Sequence, residues 1–175
     1  MDLHADQSDA RCVVRTFREG MLSRVGHDLV LEVTRFEARV SGAEVNARFD
    51  AASLRVRSAV HGGHEDPGAL SDRDRAQIEE TARTDVLDAA AHPWVTFHAR
   101  LPEGYTGRSK LRGELTLNGV TRPLEVEVSP HAAGIRVFAT VQQKDFGMKP
   151  YAALMGALRV RAEVEVEVTL PWAPR

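Results

Sequence analysis

Most of the chain alternates apolar and polar positions at period two, the mark of half-buried strands, and only one stretch near the middle switches to the helical period. The clearest alternation runs from Leu111 to Val128, LRGELTLNGVTRPLEVEV, where two β runs are joined by Asn118-Gly119. That dipeptide readily supplies the two positive φ angles of a tight type I′ turn, and a two-residue loop also sets the register. One face then pairs Leu117 with Val120, Leu115 with Arg122, Gly113 with Leu124 and Leu111 with Val126. The other pairs Thr116 with Thr121, Glu114 with Pro123, Arg112 with Glu125 and Lys110 with Glu127. The first face is mostly apolar, and the second carries two opposite-charge cross-strand pairs. Pro123 falls where its missing donor would face the next strand over, weakening that ladder.

The rest of the chain reads in the same way. Residues 1–9 are polar and patternless and are expected to form a mobile leader, with residues 10–175 as one domain. A strand is expected over Arg11–Arg18, ending at Glu19-Gly20. In Asp28–Val40 the apolar phase switches from Leu29, Leu31 and Val33 to Phe36, Ala38 and Val40, which predicts a bulge or bend between Val33 and Phe36. Strands over 43–50 and 51–60 precede a loop by composition at 61–70. Ser71 then caps a helix at about 72–87, with Asp74 at the capping-box position and a narrow stripe of Ile78, Ala82 and Val86. So thin a stripe suits a helix laid over a barrel end or flank. Strands resume at 94–101, 135–143 and 157–170. One helix cannot cover the apolar faces of about eight or nine strands, so the strands must cover one another in a barrel or sandwich. The fold class is therefore all-β with one flanking helix.

Charge and composition narrow the function. The chain of 175 residues has a net charge of −2, with both signs interspersed, which argues against a nucleic-acid surface. Cys12 is the only cysteine, so neither an internal disulfide nor a CxxC metal knuckle is available. The start lacks a basic leader with an apolar core, and no apolar run reaches membrane-spanning length. A cytoplasmic location is expected if this start is native, and a periplasmic one if the true N-terminus lies upstream.

Three clusters invite catalytic or metal readings. His27-Asp28 opens a strand and lacks the further ligands of a metal-dependent phosphohydrolase. His61, His64, Glu65 and Asp66 lie in a glycine-rich loop whose spacing matches no metal motif. Glu163, Glu165 and Glu167 share the solvated strand face. With no GxSxG, HExxH, P-loop or dinucleotide motif, neither catalytic nor metal-binding residues are assigned.

Three segments together carry a family resemblance. They are LSDRDRAQIEETARTDVLDAAAHPWVTF at 70–97, GELTLNGVTRPLEVEV at 113–128, and the Asp145-Phe146-Gly147 turn before the last strand. With these in this order the chain resembles the YceI-like family of lipocalin-like, polyisoprenoid-binding proteins. The resemblance implies an extended eight-stranded antiparallel β-barrel with a helix beside it. It also implies a hydrophobic cavity for an isoprenoid or fatty-acyl chain, and no catalysis. Many members carry a cleavable leader and an N-terminal histidine pattern; the nearest match here is Val25-Gly26-His27-Asp28.

The candidate ligand contacts follow from the inward faces. Phe97, Leu115, Leu117, Val126, Val137 and Val164 point inward beside the small residues Ala99, Gly113, Ala139 and Ala162. Small and large residues either interdigitate in a filled core or leave a tunnel. Arg122 shares the inward face and either binds a ligand head group or snorkels to the rim. Phe146, Met148, Tyr151 and Met155, in the connection at 144–156, form either an adaptable lid or a plug. The reading is non-enzymatic binding, transport or storage of an apolar lipid, with no cofactor beyond that ligand and a homodimer left open. A filled-barrel interaction protein is the alternative, and a metal-assisted hydrolase using the loop histidines ranks last.

Overall fold

The computed structural model describes residues 2–21, 26–132 and 134–171. Strands β1 (Asp2–Asp6), β2 (Arg11–Thr16) and β3 (Arg18–Glu19) are followed by β4 (Asp28–Val33), β5 (Phe36–Ser41), β6 (Glu44–Asp50), β7 (Leu54–His61) and β8 (His64–Asp66). Helix α1 (Asp72–Thr81) runs into a π-helical turn at Ala82–Val86. Then come β9 (Trp94–Arg100), β10 (Lys110–Leu117), β11 (Val120–His131), β12 (Gly134–Gln142), β13 (Ala152–Ala153), β14 (Leu158–Val160) and β15 (Glu163–Leu170).

The β10–β11 hairpin has all eight pairs of the expected register. Asn118 and Gly119 take φ of 52° and 71°, so the turn is of the kind that matches strand twist. On the polar face the Thr116 and Thr121 hydroxyls lie 2.8 Å apart and Arg112 Nε donates to Glu125 at 3.1 Å. Lys110 departs from expectation: its ammonium reaches diagonally to Glu125 at 2.7 Å instead of crossing to Glu127, a span long side chains cover easily. Hydrogen bonds from Lys110 and Arg112 hold the Glu125 carboxyl below its ordinary range. Strand β11 joins β12 only from Glu127 onward, so Pro123 lies clear of that ladder.

Twelve strands form one antiparallel sheet in the order β1-β5-β6-β9-β10-β11-β12-β15-β2-β4-β7-β8, where eight were expected. The difference comes from corners. Strands β4 and β5 form one long run broken at Thr34-Arg35, and β6 and β7 form its antiparallel partner, broken at Ala51–Ser53. Asp50 organises this corner. Its Oδ1 accepts from Ala52 N at 2.8 Å, its Oδ2 takes Arg35 Nε at 2.6 Å, and its carbonyl receives Ser53 Oγ at 2.8 Å. The β5–β6 half of this bent hairpin joins β1 and β9, while the β4–β7 half joins β2 and β8. Those halves lie at opposite ends of the strand order, so the sheet curls back on itself. The phase switch between Val33 and Phe36 is thus this corner, whereas the register shift in the ladder falls at Val30/Leu31.

Three further expectations are corrected. Residues 1–9 were expected to be a mobile leader, but Asp2–Asp6 pair with β5 from Asp2↔Ser41 to Asp6↔Glu37. Only Leu3 and Ala5 offer an apolar rhythm there, too short a signal to separate an edge strand from a tail. Within the 61–70 loop, β8 turns back on β7 with His61 opposite His64. The run 157–170 divides, and β14 joins β13 and β3 in a separate three-stranded sheet.

The helix and its π-helical turn occupy the expected span, with Asp74 N donating to Ser71 Oγ at 3.1 Å. Strand β8 pairs with β7 only from Ala59 on, which leaves one edge of residues 54–58 uncovered. Helix side chains satisfy that edge: Val56 N donates to Glu79 at 2.8 Å, and Arg75 donates to the carbonyls of Val56 and Arg57 at 3.2 and 3.0 Å. An edge that would otherwise expose backbone groups is closed by a helix, and the helix thereby flanks the curled sheet.

Candidate ligand-binding cavity

The inner faces of the curled sheet do not meet. They enclose a cavity of about 530 Å³, within the size range of small-molecule sites. Its walls are almost wholly carbon. Ala38, Ala47 and Ala139 make room on the inner face, and Ile78, Ala82, Val86 and Leu87 close the flank from the helix. Of the small residues expected inward, Ala139 borders the open space, whereas Ala99 is packed in an apolar cluster and the space beside Gly113 is filled by the Phe97 ring. One end is packed by Leu101, Tyr105, Leu111, Val128, Ile135 and Leu170.

The other end is polar. Strands β2 and β12 finish there and β4 and β15 begin there, which brings Thr16, His27 and Gln143 to the lining together with Arg18 and Arg159 of the small sheet. Both arginines already have carboxylate partners, Arg18 with Asp28 at 3.8 Å and Arg159 with Glu19 at 3.6 Å. Arg18 also donates to the Gly26 carbonyl, and buried Gln143 donates to the Arg161 carbonyl at 3.1 Å. His27 differs. Its ring lies 5.0 Å from that of His61, and among the described residues its Nδ1 is the one buried side-chain polar atom with no hydrogen-bond partner. Such an atom carries an uncompensated desolvation cost that a ligand can relieve. Cys12 also lines the cavity, and burial, reinforced by Glu32, pushes its thiol pKa up to about 12.

Eight of the expected contact residues line this space: Phe97, Leu115, Leu117, Val126, Val137, Met148, Tyr151 and Val164. Three do not. Arg122 holds its register opposite Leu115 but is exposed, and its side chain donates only to the neighbouring Thr121 carbonyl at 3.4 Å. It lies near the hairpin tip, where a long side chain escapes past the wall into water. Phe146 is buried in one cluster with Leu115, Leu117, Val141 and Met148, which line the cavity while it does not. Met155 adopts a left-handed φ of 56° and points fully into solvent. The 144–156 connection is therefore part plug and part exposed loop.

The sequence missed Arg18, Arg159, Gln143 and Cys12 as lining residues, while His27 was marked by the family pattern and by the rejected His27-Asp28 metal reading and not as a ligand contact. Among the described residues, no three His, Cys, Asp or Glu side chains are grouped closely enough to share a metal ion. Among the described residues, no helix is long and apolar enough to cross a membrane.

The three segments that carried the resemblance meet at the β10–β11 turn. Asn118 Nδ2 donates to the Phe146 carbonyl at 3.1 Å, and a Cβ on Gly119 would lie 2.8 Å from the His92 ring. The YceI-like domain profile matches residues 2–171. The chain belongs to the YceI-like family. Among solved structures, Burkholderia cenocepacia BcnA is similar at 18% identity and a TM-score of 0.57, covering 93% of this chain and 96% of that one. A polyisoprenoid binding domain from Saccharophagus degradans, implicated in plant cell wall breakdown, is similar at 12% identity and a TM-score of 0.61, covering 95% and 94%. At these identities the likeness is one of fold. A comparison with curated proteins gives no match.

Proposed function

We propose that this YceI-like protein binds one long-chain apolar lipid, of isoprenoid or fatty-acyl type, and carries or stores it without chemical change. The observation behind this reading is the carbon-lined cavity of about 530 Å³, packed at one end and polar at the other. With each corner-broken strand counted once and the end strands β1 and β8 set aside, we read its wall as an eight-stranded lipocalin-like barrel. The chain of the ligand lies among Leu115, Val126, Val137 and Ala139, and its head lies at the polar end. Because Arg18 and Arg159 are already paired, the head-group contact falls to His27 Nδ1, which a hydroxyl or carbonyl would satisfy. The Saccharophagus domain, described as polyisoprenoid binding, is consistent with this ligand class.

Native mass spectrometry after detergent-free purification should find an apolar small molecule bound one to one. In a series of fatty acids or prenyl alcohols, affinity should rise by about fourfold per added methylene, at roughly 0.8 kcal/mol each, until the chain outgrows the cavity. Absence of any bound lipid, together with no dependence on chain length, would refute the reading.

A further inference from the structure

Among the described residues, four large apolar side chains stand exposed, and three of them gather at the polar end of the cavity. Met21 is 91% exposed, Tyr151 42% and Met155 fully. The fourth, Trp94, lies elsewhere beneath the Arg48 guanidinium, 4.3 Å from its ring centroid. The small sheet explains the gathering. Strand β14 pairs with β3 through Arg159↔Glu19 and Val160↔Arg18, and the Tyr151 carbonyl accepts from Val160 N at 2.9 Å. Gly20 approaches the 156–157 backbone so closely that a Cβ there would strike the Ala157 carbonyl. Met21 follows that contact and Met155 just precedes it, so the two methionines project from adjoining loop tips. Leu158, Arg159 and Val160 of the same sheet, and Tyr151 just before it, line the cavity. The exposed apolar fringe is thus continuous with the cavity's own surface.

The segment that carries Tyr151 and Met155 is basic. Residues 147–161 contain Lys149, Arg159 and Arg161 and no acidic residue, in a chain whose net charge is −2. Arg159 pairs with Glu19 and Arg18 with Asp28, whereas Lys149 and Arg161 have no ion-pair partner among the described residues. Projecting methionines and a tyrosine ringed by lysine and arginine are the chemistry of a surface that seats at a lipid headgroup boundary. A flat protein partner would need a contiguous apolar face, whereas here the apolar groups are tips around an opening.

We propose that this rim docks on an anionic lipid bilayer, so that the apolar ligand passes between membrane and cavity without crossing bulk water. The inference rests on the lipid-binding reading for its purpose, but docking can be measured separately. The full-length chain is centrifuged with phosphatidylcholine vesicles with and without phosphatidylglycerol, alongside Met21→Ser/Met155→Ser, two substitutions at solvent-exposed positions outside the cavity. Transfer of an anthroyloxy-labelled fatty acid from protein to the same vesicles is followed by stopped flow.

The unaltered protein should sediment with phosphatidylglycerol vesicles, and its transfer rate should rise in proportion to vesicle concentration. The double variant should bind vesicles about tenfold more weakly or less. It should also lose the concentration dependence of transfer, while its affinity for the labelled acid in solution stays the same. Failure of the unaltered protein to associate with vesicles, or equal association by the variant, would overturn the docking proposal even with lipid binding intact. If the labelled acid does not bind at all, the lipid-binding reading fails, and sedimentation alone still decides the docking.

Discussion

Replacing Gly113 by alanine tests whether the inner wall is as tightly built as it looks. On an ordinary strand the change would be neutral or stabilising by about 0.4–1 kcal/mol, since alanine has less freedom to lose on folding. Here the added Cβ would fall 2.5 Å from Phe97 Cζ and 2.7 Å from Cε2, and closer still to the His98 carbonyl. The ring can swing away, but the carbonyl cannot, because His98 is held between Asn46 of β6 and Glu114 of β10. Overpacking of this kind costs about 1–3 kcal/mol. At about 2–4 °C per kcal/mol for a chain of this size, Tm should fall by roughly 2–12 °C. Differential scanning calorimetry of Gly113→Ala measures it directly. Adding Phe97→Leu should recover part of the loss, because it removes the ring contact and leaves the backbone one. A Tm that is unchanged or raised in Gly113→Ala would refute the packing argument. Since a displaced Phe97 ring must move toward the cavity, the single variant should also bind lipid more weakly than the double variant.

Three further outcomes follow from the cavity and the hairpin. Ala139→Phe, which projects a ring into the space between Val126 and Val137, should lower lipid affinity by about tenfold or more with a retained cooperative unfolding transition, as read by lipid titration and thermal melts. His27→Leu should weaken a prenyl alcohol by about fivefold, the worth of one hydrogen bond, and leave the corresponding hydrocarbon unaffected; equal losses would remove His27 from the head-group contact. Glu125 has a folded pKa below its ordinary value of 4.5, so its stabilising effect is present above that pH and is lost as pH falls through the folded value. Urea midpoints from pH 7 to pH 2 should therefore converge between the native chain and Glu125→Gln at the acidic end, and a constant gap would refute the pairing.

The hairpin was legible because two independent signals, the alternation and the Asn118-Gly119 turn, demanded the same register. The corner at Thr34-Arg35 was legible as a change of phase, but its consequence was not. That a strand bends is local, whereas the use of its two halves to join opposite ends of one sheet depends on pairings with β1, β2 and β9. Arg122 shows a related limit: register assigns a side chain to a face but does not say whether the strand has by then run past the wall. At Met155 the left-handed backbone reverses the direction that its neighbours suggest. The polar end could not be read because Arg18, His27, Gln143 and Arg159 come from four separate segments with no shared spacing. Nothing in the chain ties the four together until the curled sheet assembles them.

Cys12 gives the cavity a built-in reporter. Its sulfur is the chain's only thiol, 1% exposed, on the cavity lining, and held protonated until about pH 12. Thiol-directed reagents attack the thiolate, so modification in the folded protein is slow, and a reagent that reaches this sulfur in the cavity competes with the lipid for the same volume. The rate of modification therefore measures vacancy, and a bound chain of any identity should announce itself by slowing the reaction before its structure is known.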